Sequence, residues 1–259
     1  MKNSQKILFL GLSIFLLGCS NTQKDNKEIE YSILRGVNLS KQQQYEKAMV
    51  EYQKAYSLDP ENLILLKELG YCYYQFGDYN RAKEFWTKAL EISPKDDNTI
   101  KNLATLYYKE RDYDKVFDVV SQSYNPNSDY YLKLKALINY ETGDKIEAYE
   151  LFRKMKRESF DEECTLKNME LLKELDKKME LYSFMRESYP IFMDNKEYTL
   201  RYTQNLVELY NMNREAQEIL LDYIVRNGND ENILLQLREM YLKDGDIQKA
   251  ESVYKLIVR

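Results

Sequence analysis

Apolar positions recur along most of the chain with a long, regular period. From Ala48, steps of 34 residues reach Ala82 and Val116, one step of 32 reaches Ala148, and further steps of 34 reach Tyr182, Ala216 and Ala250. Four residues beyond each lies a second column: Tyr52, Trp86, Val120, Phe152, Arg186, Leu220 and Tyr254. Seven beyond lies a third: Ala55, Ala89, Ser123, Met155, Tyr189, Tyr223 and Ile257. Small, large and apolar side chains at i, i+4 and i+7 mark one face of an α-helix. The preceding half of each period carries its own helical face, clearest in Leu66-x-x-Leu69-Gly70-x-x-Tyr73, and breaks at Gly77-Asp78. Gly143-Asp144 and Gly245-Asp246 hold the same register, with Arg111-Asp112 in their place in the third period. Glycine there can end one helix in the left-handed conformation, and aspartate can cap the next.

The helix breakers respect this division. Gly36 and Gly70 share a column in which a small residue lets a neighbouring helix approach, while Gly77, Gly143 and Gly245 share the turn column. Pro60, Pro94, Pro126 and Pro190 fall at or near the period ends. The pattern predicts an all-α chain of helix–turn–helix units.

A 34-residue helix–turn–helix period with these columns resembles the tetratricopeptide repeat, TPR. The resemblance covers residues 29–259 as seven units, near 29–62, 63–96, 97–128, 129–162, 163–196, 197–230 and 231–259. It implies a right-handed superhelical solenoid in which each unit completes its core against its neighbours. The fifth and sixth units depart from the pattern. Tyr182 and Arg186 replace small and aromatic residues, and Asn211-Met212 replaces Gly-Asp, so less regular packing is expected there.

The N-terminus has a different composition. MKNSQK precedes the apolar run ILFLGLSIFLL and then Gly18-Cys19. A positive start and a short apolar run describe a secretory signal, too short for a membrane-spanning helix of ~20 residues. Leu16-Leu17-Gly18-Cys19 resembles the lipobox of bacterial lipoproteins, which implies cleavage after residue 18, lipidation of Cys19 and a membrane anchor outside the cytoplasm. Residues 19–28, CSNTQKDNKE, are expected to be a polar tether.

Charge and composition narrow the function. Without residues 1–18, 36 basic residues face 43 acidic ones, a balance that excludes an ordinary nucleic-acid binder. The chain has no histidine, so it lacks the commonest general base and metal ligand, and no phosphate-binding glycine motif occurs. No enzyme, metal or cofactor is therefore expected. Cys72 falls within a helix as a small core residue and is placed too far from Cys164 for a disulfide.

In TPR proteins the first helix of each unit lines a concave groove. The resemblance therefore puts Lys67, Lys101, Lys133, Lys167 and Arg201 in one groove column. Tyr74, Tyr108 and Tyr140 fall in another, with Tyr71 and Tyr130 as further candidates. The cation column implies a protein or peptide partner with acidic character. Some TPR domains clamp a C-terminal carboxylate; Lys67 and Asn102 match that pattern, but Tyr71, Tyr130 and Leu134 do not. In the last helix, Ile247, Ala250, Val253, Tyr254, Leu256, Ile257 and Val258 span roughly 200° at 100° per residue. This width predicts a contact face at Tyr254, Ile257 and Val258 for a second copy of the chain or a partner.

Together these features describe a lipid-anchored interaction scaffold of the cell envelope. The alternative is a structural subunit of an envelope assembly, such as one for outer-membrane proteins or pili, joined through its ends. Cys19→Ser is expected to move the chain from the membrane fraction to the soluble fraction. Retention on membranes after a salt wash would refute the anchor.

Overall fold

The computed structural model describes residues 26–258, which form fourteen α-helices and no strand. The proposed signal, Cys19 and most of the expected tether lie outside the described residues. Residues 26–28, placed in the tether by sequence, begin the first helix, α1 (residues 26–41). The chain divides after Pro126 into two compact halves.

In the first half α1 pairs with α2 (Tyr45–Tyr56), α3 (Leu63–Gln75) with α4 (Tyr79–Ile92), and α5 (Asp97–Lys109) with α6 (Tyr113–Ser121). In the second half α7 (Asp129–Thr142) pairs with α8 (Lys145–Lys154), and α9 (Glu162–Glu174) with α10 (Lys178–Phe192). α11 (Lys196–Tyr210) pairs with α12 (Asn213–Asn227), and α13 (Glu231–Lys243) with α14 (Ile247–Ile257). A 3-10 turn at Arg157–Ser159 links α8 to α9.

Every pair reverses through one residue of positive φ: Gln43 (59°), Gly77 (76°), Arg111 (60°), Gly143 (92°), Asp176 (53°), Asn211 (56°) and Gly245 (76°). Four of these seven are not glycine, so sequence reading found the turn but not its full extent. The turn hydrogen bonds explain why non-glycine residues accept the conformation. At the second pair, Gly77 N–H donates to Tyr74 O and Asp78 N–H to Tyr73 O, both at 3.0 Å. The same two bonds recur with Arg111 and Asp112 on Tyr108 and Tyr107, and with Asp176 and Lys177 on Lys173 and Leu172. They satisfy carbonyls that the helix end would otherwise leave open. Asp78, Asp112, Asp144 and Asp246 then cap the second helices through their side chains.

The core of each pair follows the periodic columns. Ala48, Ala82, Val116, Ala148, Ala216 and Ala250 are buried, as are Tyr52, Trp86, Val120, Phe152 and Leu220. Gly36 faces Tyr52 and Gly70 faces Trp86. A Cβ at Gly70 would lie 2.5 Å from Trp86 Cδ1, and one at Gly36 would lie 2.6 Å from Tyr52 Cδ1. Trp86 also donates its indole N–H to Lys67 O at 3.2 Å, as a buried indole requires.

The fifth repeat rebuilds this contact with different residues. Tyr182 lies tilted against Tyr210 at 5.2 Å, whose hydroxyl donates to Lys178 O at 2.6 Å, while Arg186 lies exposed. Aromatic packing shifts to Phe160, Phe184, Phe192, Tyr198 and Tyr202, and the buried Tyr198 hydroxyl donates to Met185 O. Pro190, near the end of its repeat, lies inside α10. It sits two residues before the helix stops, so its missing N–H and ring disturb only the final turn. Cys72 and Cys164 are both free and fully buried. Burial pushes the Cys72 thiol up to about 12 and the Cys164 thiol higher still.

Two glycine substitutions separate the two constraints. Gly77→Ala meets nothing within 4 Å, so it is expected to cost only the left-handed penalty of about 1–2 kcal/mol. Gly70→Ala must displace Trp86 and is expected to cost more, up to about 3 kcal/mol. Arg111→Gly is expected to leave stability within about 1 kcal/mol of the parent, because relieved strain offsets added unfolded-state entropy. Urea unfolding followed by circular dichroism checks all three. A Gly70→Ala variant as stable as Gly77→Ala would show that Trp86 can withdraw.

Candidate binding faces of the first helices

The residues expected in the groove all lie on first helices: α3 and α5 in the first half, and α7, α9 and α11 in the second. The fold therefore puts Lys67 and Lys101 on one set of helices and Lys133, Lys167 and Arg201 on another. Within each half, what surrounds them decides their chemistry.

None of the five cations is left bare. Lys67 Nζ lies 2.8 Å from Asp96, Lys101 Nζ 2.8 Å from Asp97, and Lys133 Nζ 2.7 Å from Asp161. Lys167 Nζ lies 3.7 Å from Glu170, and Arg201 Nε 2.7 Å from Glu197. The column thus corrects the expectation of an open row of cations: an acidic ligand would compete with carboxylates already in place. The periodic columns placed the lysines in the groove and did not join them to these carboxylates.

Two of these pairs also link adjacent repeats. Asp96 caps α5 by accepting from Thr99 N–H at 2.9 Å while binding Lys67 of α3. Asp161 caps α9 by accepting from Cys164 N–H at 3.0 Å while binding Lys133 of α7. Burial alone would raise both carboxyl pKa values, but the lysine, the capping N–H and other hydrogen bonds outweigh it and hold both below the ordinary value.

The tyrosines divide between floor and rim. Tyr74 is half-buried between Tyr79 and Trp86, with Lys109 over its ring at 5.7 Å. Tyr108 packs 6.2 Å from Tyr113, and Tyr130 packs edge-on to Tyr131. Tyr140 lies beneath Lys167 at 4.9 Å, and burial followed by a hydrogen bond with Glu170 raises its hydroxyl pKa. Tyr71 is the exception: it is exposed on α3 and meets Tyr45 edge-on at 6.0 Å.

In the second half the same helix faces open into clefts that sequence reading did not single out. One, of about 690 Å³, lies between α11 and α13; its lining includes Arg201, Gln204, Glu208, Gln236 and Glu239. A second, of about 340 Å³, lies between α9 and α11 and shares Arg201 and Gln204 with the first. A detectable signal was present in the Gly36/Gly70 column, which reads Glu170, Gln204 and Arg238 in the last three repeats. Where the second helix supplies Tyr52 or Trp86, this column is glycine. Opposite Arg186 and Leu220 it carries Glu170 and Gln204, which line the clefts. In the last repeat Arg238 lies over the Tyr254 ring at 5.1 Å.

On α14, Ala250 and Val253 are buried, Ile257 is partly buried, and Ile247, Tyr254, Leu256 and Val258 are exposed. Among the described residues no group of three or more cysteines and carboxylates is arranged to hold a metal. No described helix is long and apolar enough to cross a membrane.

Residues 39–85 match the family model described as tetratricopeptide repeat. The fold is similar to a tetratricopeptide repeat protein from Parabacteroides merdae, with a TM-score of 0.62 and 16% identity over 89% of this chain and 92% of that one. It is also similar to pilF of Pseudomonas aeruginosa, with a TM-score of 0.62 and 15% identity over 85% of this chain and 99% of that one. YrrB, described as a TPR protein with an unusual peptide-binding site, gives a TM-score of 0.55 and 17% identity over 71% of this chain and 97% of that one. No curated protein matches the chain in sequence. The tetratricopeptide repeat is thus matched in sequence over residues 39–85, and the fold is an all-α repeat array similar to those of solved tetratricopeptide-repeat proteins.

The inter-repeat pairs carry a pH signature. Asp96 and Asp161 have folded pKa values below the ordinary aspartate value of 3.8. The stability they add is present above that value and is lost as pH falls through the lowered folded values. Asp96→Asn keeps a capping oxygen but removes the ion pair. It is expected to lower the melting temperature at neutral pH and to reduce its fall between about pH 5 and pH 2. A variant whose melting temperature tracks the parent at every pH would show that the Lys67–Asp96 pair contributes nothing.

Proposed function

We propose that this protein is a scaffold anchored at the cell envelope through a lipid on Cys19 and that its first-helix faces hold a segment of a protein partner. A repeat array of this kind is a protein-interaction fold, and the observation that carries the binding reading is the pair of adjoining clefts on α9, α11 and α13. They offer charged and amide side chains beside the apolar Met169, Leu200, Val207 and Met240, a mixed surface suited to an extended chain rather than a small apolar molecule. The peptide-binding site named for YrrB supports the same use of the fold. Residues 1–19 support the anchor by their order: positive start, short apolar run, cysteine.

A second reading draws on the exposed Ile247, Tyr254, Leu256 and Val258 of α14. In it the protein is a structural subunit joined through that helix rather than through the first-helix faces. Affinity capture with the full chain, followed by mass spectrometry, supplies the partner on which both readings are tested. Gln204→Arg, which fills the clefts, and Tyr71→Ala, which strips the exposed ring of α3, are expected to reduce capture at least about fivefold, as loss of a central interface contact does. Undiminished capture by both folded variants, with loss in Val258→Glu, would overturn the groove reading in favour of the structural one.

A further inference from the structure

We infer that a cleft among α4, α5 and α6 takes an aromatic side chain of a partner protein, followed one helical turn later by a lysine or arginine. Seven of its nine lining residues belong to the second helices α4 and α6. It is separate from the clefts on α9, α11 and α13, and the inference does not depend on them.

The repeat itself supplies the template. The cleft encloses about 330 Å³, and its lining, shifted back by 34 residues, falls on a place that the chain fills for itself. There Phe85 of α4 stacks on Tyr73 of α3 at 5.4 Å and meets Tyr56 of α2 edge-on at 5.5 Å. Lys88 lies over the Phe85 ring at 5.5 Å and binds Glu84 at 2.7 Å. One repeat on, part of this arrangement survives. Leu69 and Tyr73 become Leu103 and Tyr107, and Arg81 over the Tyr73 ring at 5.3 Å becomes Lys115 over the Tyr107 ring at 5.5 Å. The rest is missing: Val119 stands for Phe85, Leu90 for Tyr56 and Gln122 for Lys88. The ring, its edge-on partner and the cation are lost together, and the residues that would surround them bound the cleft.

What is lost states what the cleft accepts. Tyr107 meets no other ring among the described residues, and the buried Leu90, Leu103 and Val119 supply an apolar floor beside it. A planar ring recovers both the stacking and the apolar contact, whereas an aliphatic side chain recovers only the second. Charge completes the match. Asp118 holds the place of Glu84, but Gln122 stands four residues on where Glu84 has Lys88, and Asp118 forms no ion pair among the described residues. Glu91 forms none either, and Lys88, one turn before it, is bound to Glu84. Lys115, the cation in the lining, is bound to Asp112. Two carboxylates are therefore left without a cation to offset them. A lysine or arginine beside the incoming ring can meet Asp118 as Lys88 meets Glu84, and no existing pair breaks. Phe85 and Lys88 are three residues apart on one helix, so a partner helix with an aromatic residue and a cation at that spacing reproduces both contacts.

A phage-displayed pool of randomised peptides of about sixteen residues, long enough to form a helix, is selected on the immobilised full chain. Each binder is then titrated on the parent, on Val119→Phe, which gives the cleft a ring of its own, and on Gln204→Arg, which alters the clefts of the other half. A class of peptides is expected to weaken at least about tenfold on Val119→Phe and to be untouched by Gln204→Arg. Within that class, an aromatic residue followed three or four positions later by Lys or Arg is expected to be enriched at least about threefold over the input pool. Asp118→Asn is expected to weaken the same class about twofold to fivefold, less so as salt rises. Circular dichroism shows whether Val119→Phe folds. Should it not fold, the exposed Asp118 decides the test, and peptides untouched by Gln204→Arg are judged on Asp118→Asn alone. Affinity unchanged in either folded variant overturns the inference, as does a class without aromatic enrichment or a pool that yields no such class. Self-association of the full chain that Val119→Phe abolishes would assign the cleft to a second copy and overturn it too. Binding lost only in Gln204→Arg would sink this cleft and leave the scaffold reading standing.

Discussion

Each helix pair turns through one residue held between φ 53° and 92°, and that turn directs the second helix back across the face of the first. The small residue of the first helix then meets the large residue of the second, as Gly70 meets Trp86. Burial of the aromatic ring, the depth at which the helices pack and the direction of the side chains on the outer face of the first helix all follow from this closure. Gln43, Arg111 and Asp176 adopt the conformation without glycine because two backbone bonds and the packed pair hold them there, while the Asn211 turn keeps one such bond, from Met212 N–H to Leu206 O. Asparagine tolerates that region readily; arginine adopts it only where the surrounding structure over-determines it.

The same closure explains why first-helix faces differ between repeats. With a glycine under Tyr52 or Trp86, the second helix fills the space and the outer face carries half-buried tyrosines such as Tyr74. With Arg186 or Leu220 opposite, the column accepts Glu170 and Gln204, whose long polar side chains border open clefts. Departures from the repeat pattern that weaken sequence resemblance are thus the places where polar clefts open. A repeat that needs no help to pack has little polarity to offer a ligand.

Charge on these faces is first spent on holding repeats together. Lys67 and Lys133 reach across to the aspartates that cap the next first helix, so one carboxylate both ends a helix correctly and ties two repeats. Such pairs are half-buried and hydrogen-bonded on several sides, which distinguishes them from freely solvated surface pairs of little net value. They make the interface between repeats specific and remove from the groove the cations that a one-dimensional reading would assign to a ligand.

The sequence by itself determined the all-α class, the repeat length, the buried columns and most of the turn positions, because these depend on local periodicity and on the steric demands of Gly, Pro and the cap residues. It also marked the fifth and sixth repeats as divergent through Tyr182, Arg186 and Asn211. Only the tertiary structure decided what the groove residues do. Lys67 and Asp96 are 29 residues apart in sequence, and no local rule connects a lysine in mid-helix to the cap of another helix. Asn205 looked like one more polar residue on a helix, yet packing buries it and leaves its amide facing a cleft. Whether a charge or an amide is satisfied is a property of its three-dimensional neighbours, and the 34-residue period brings those neighbours together only once the helices have packed.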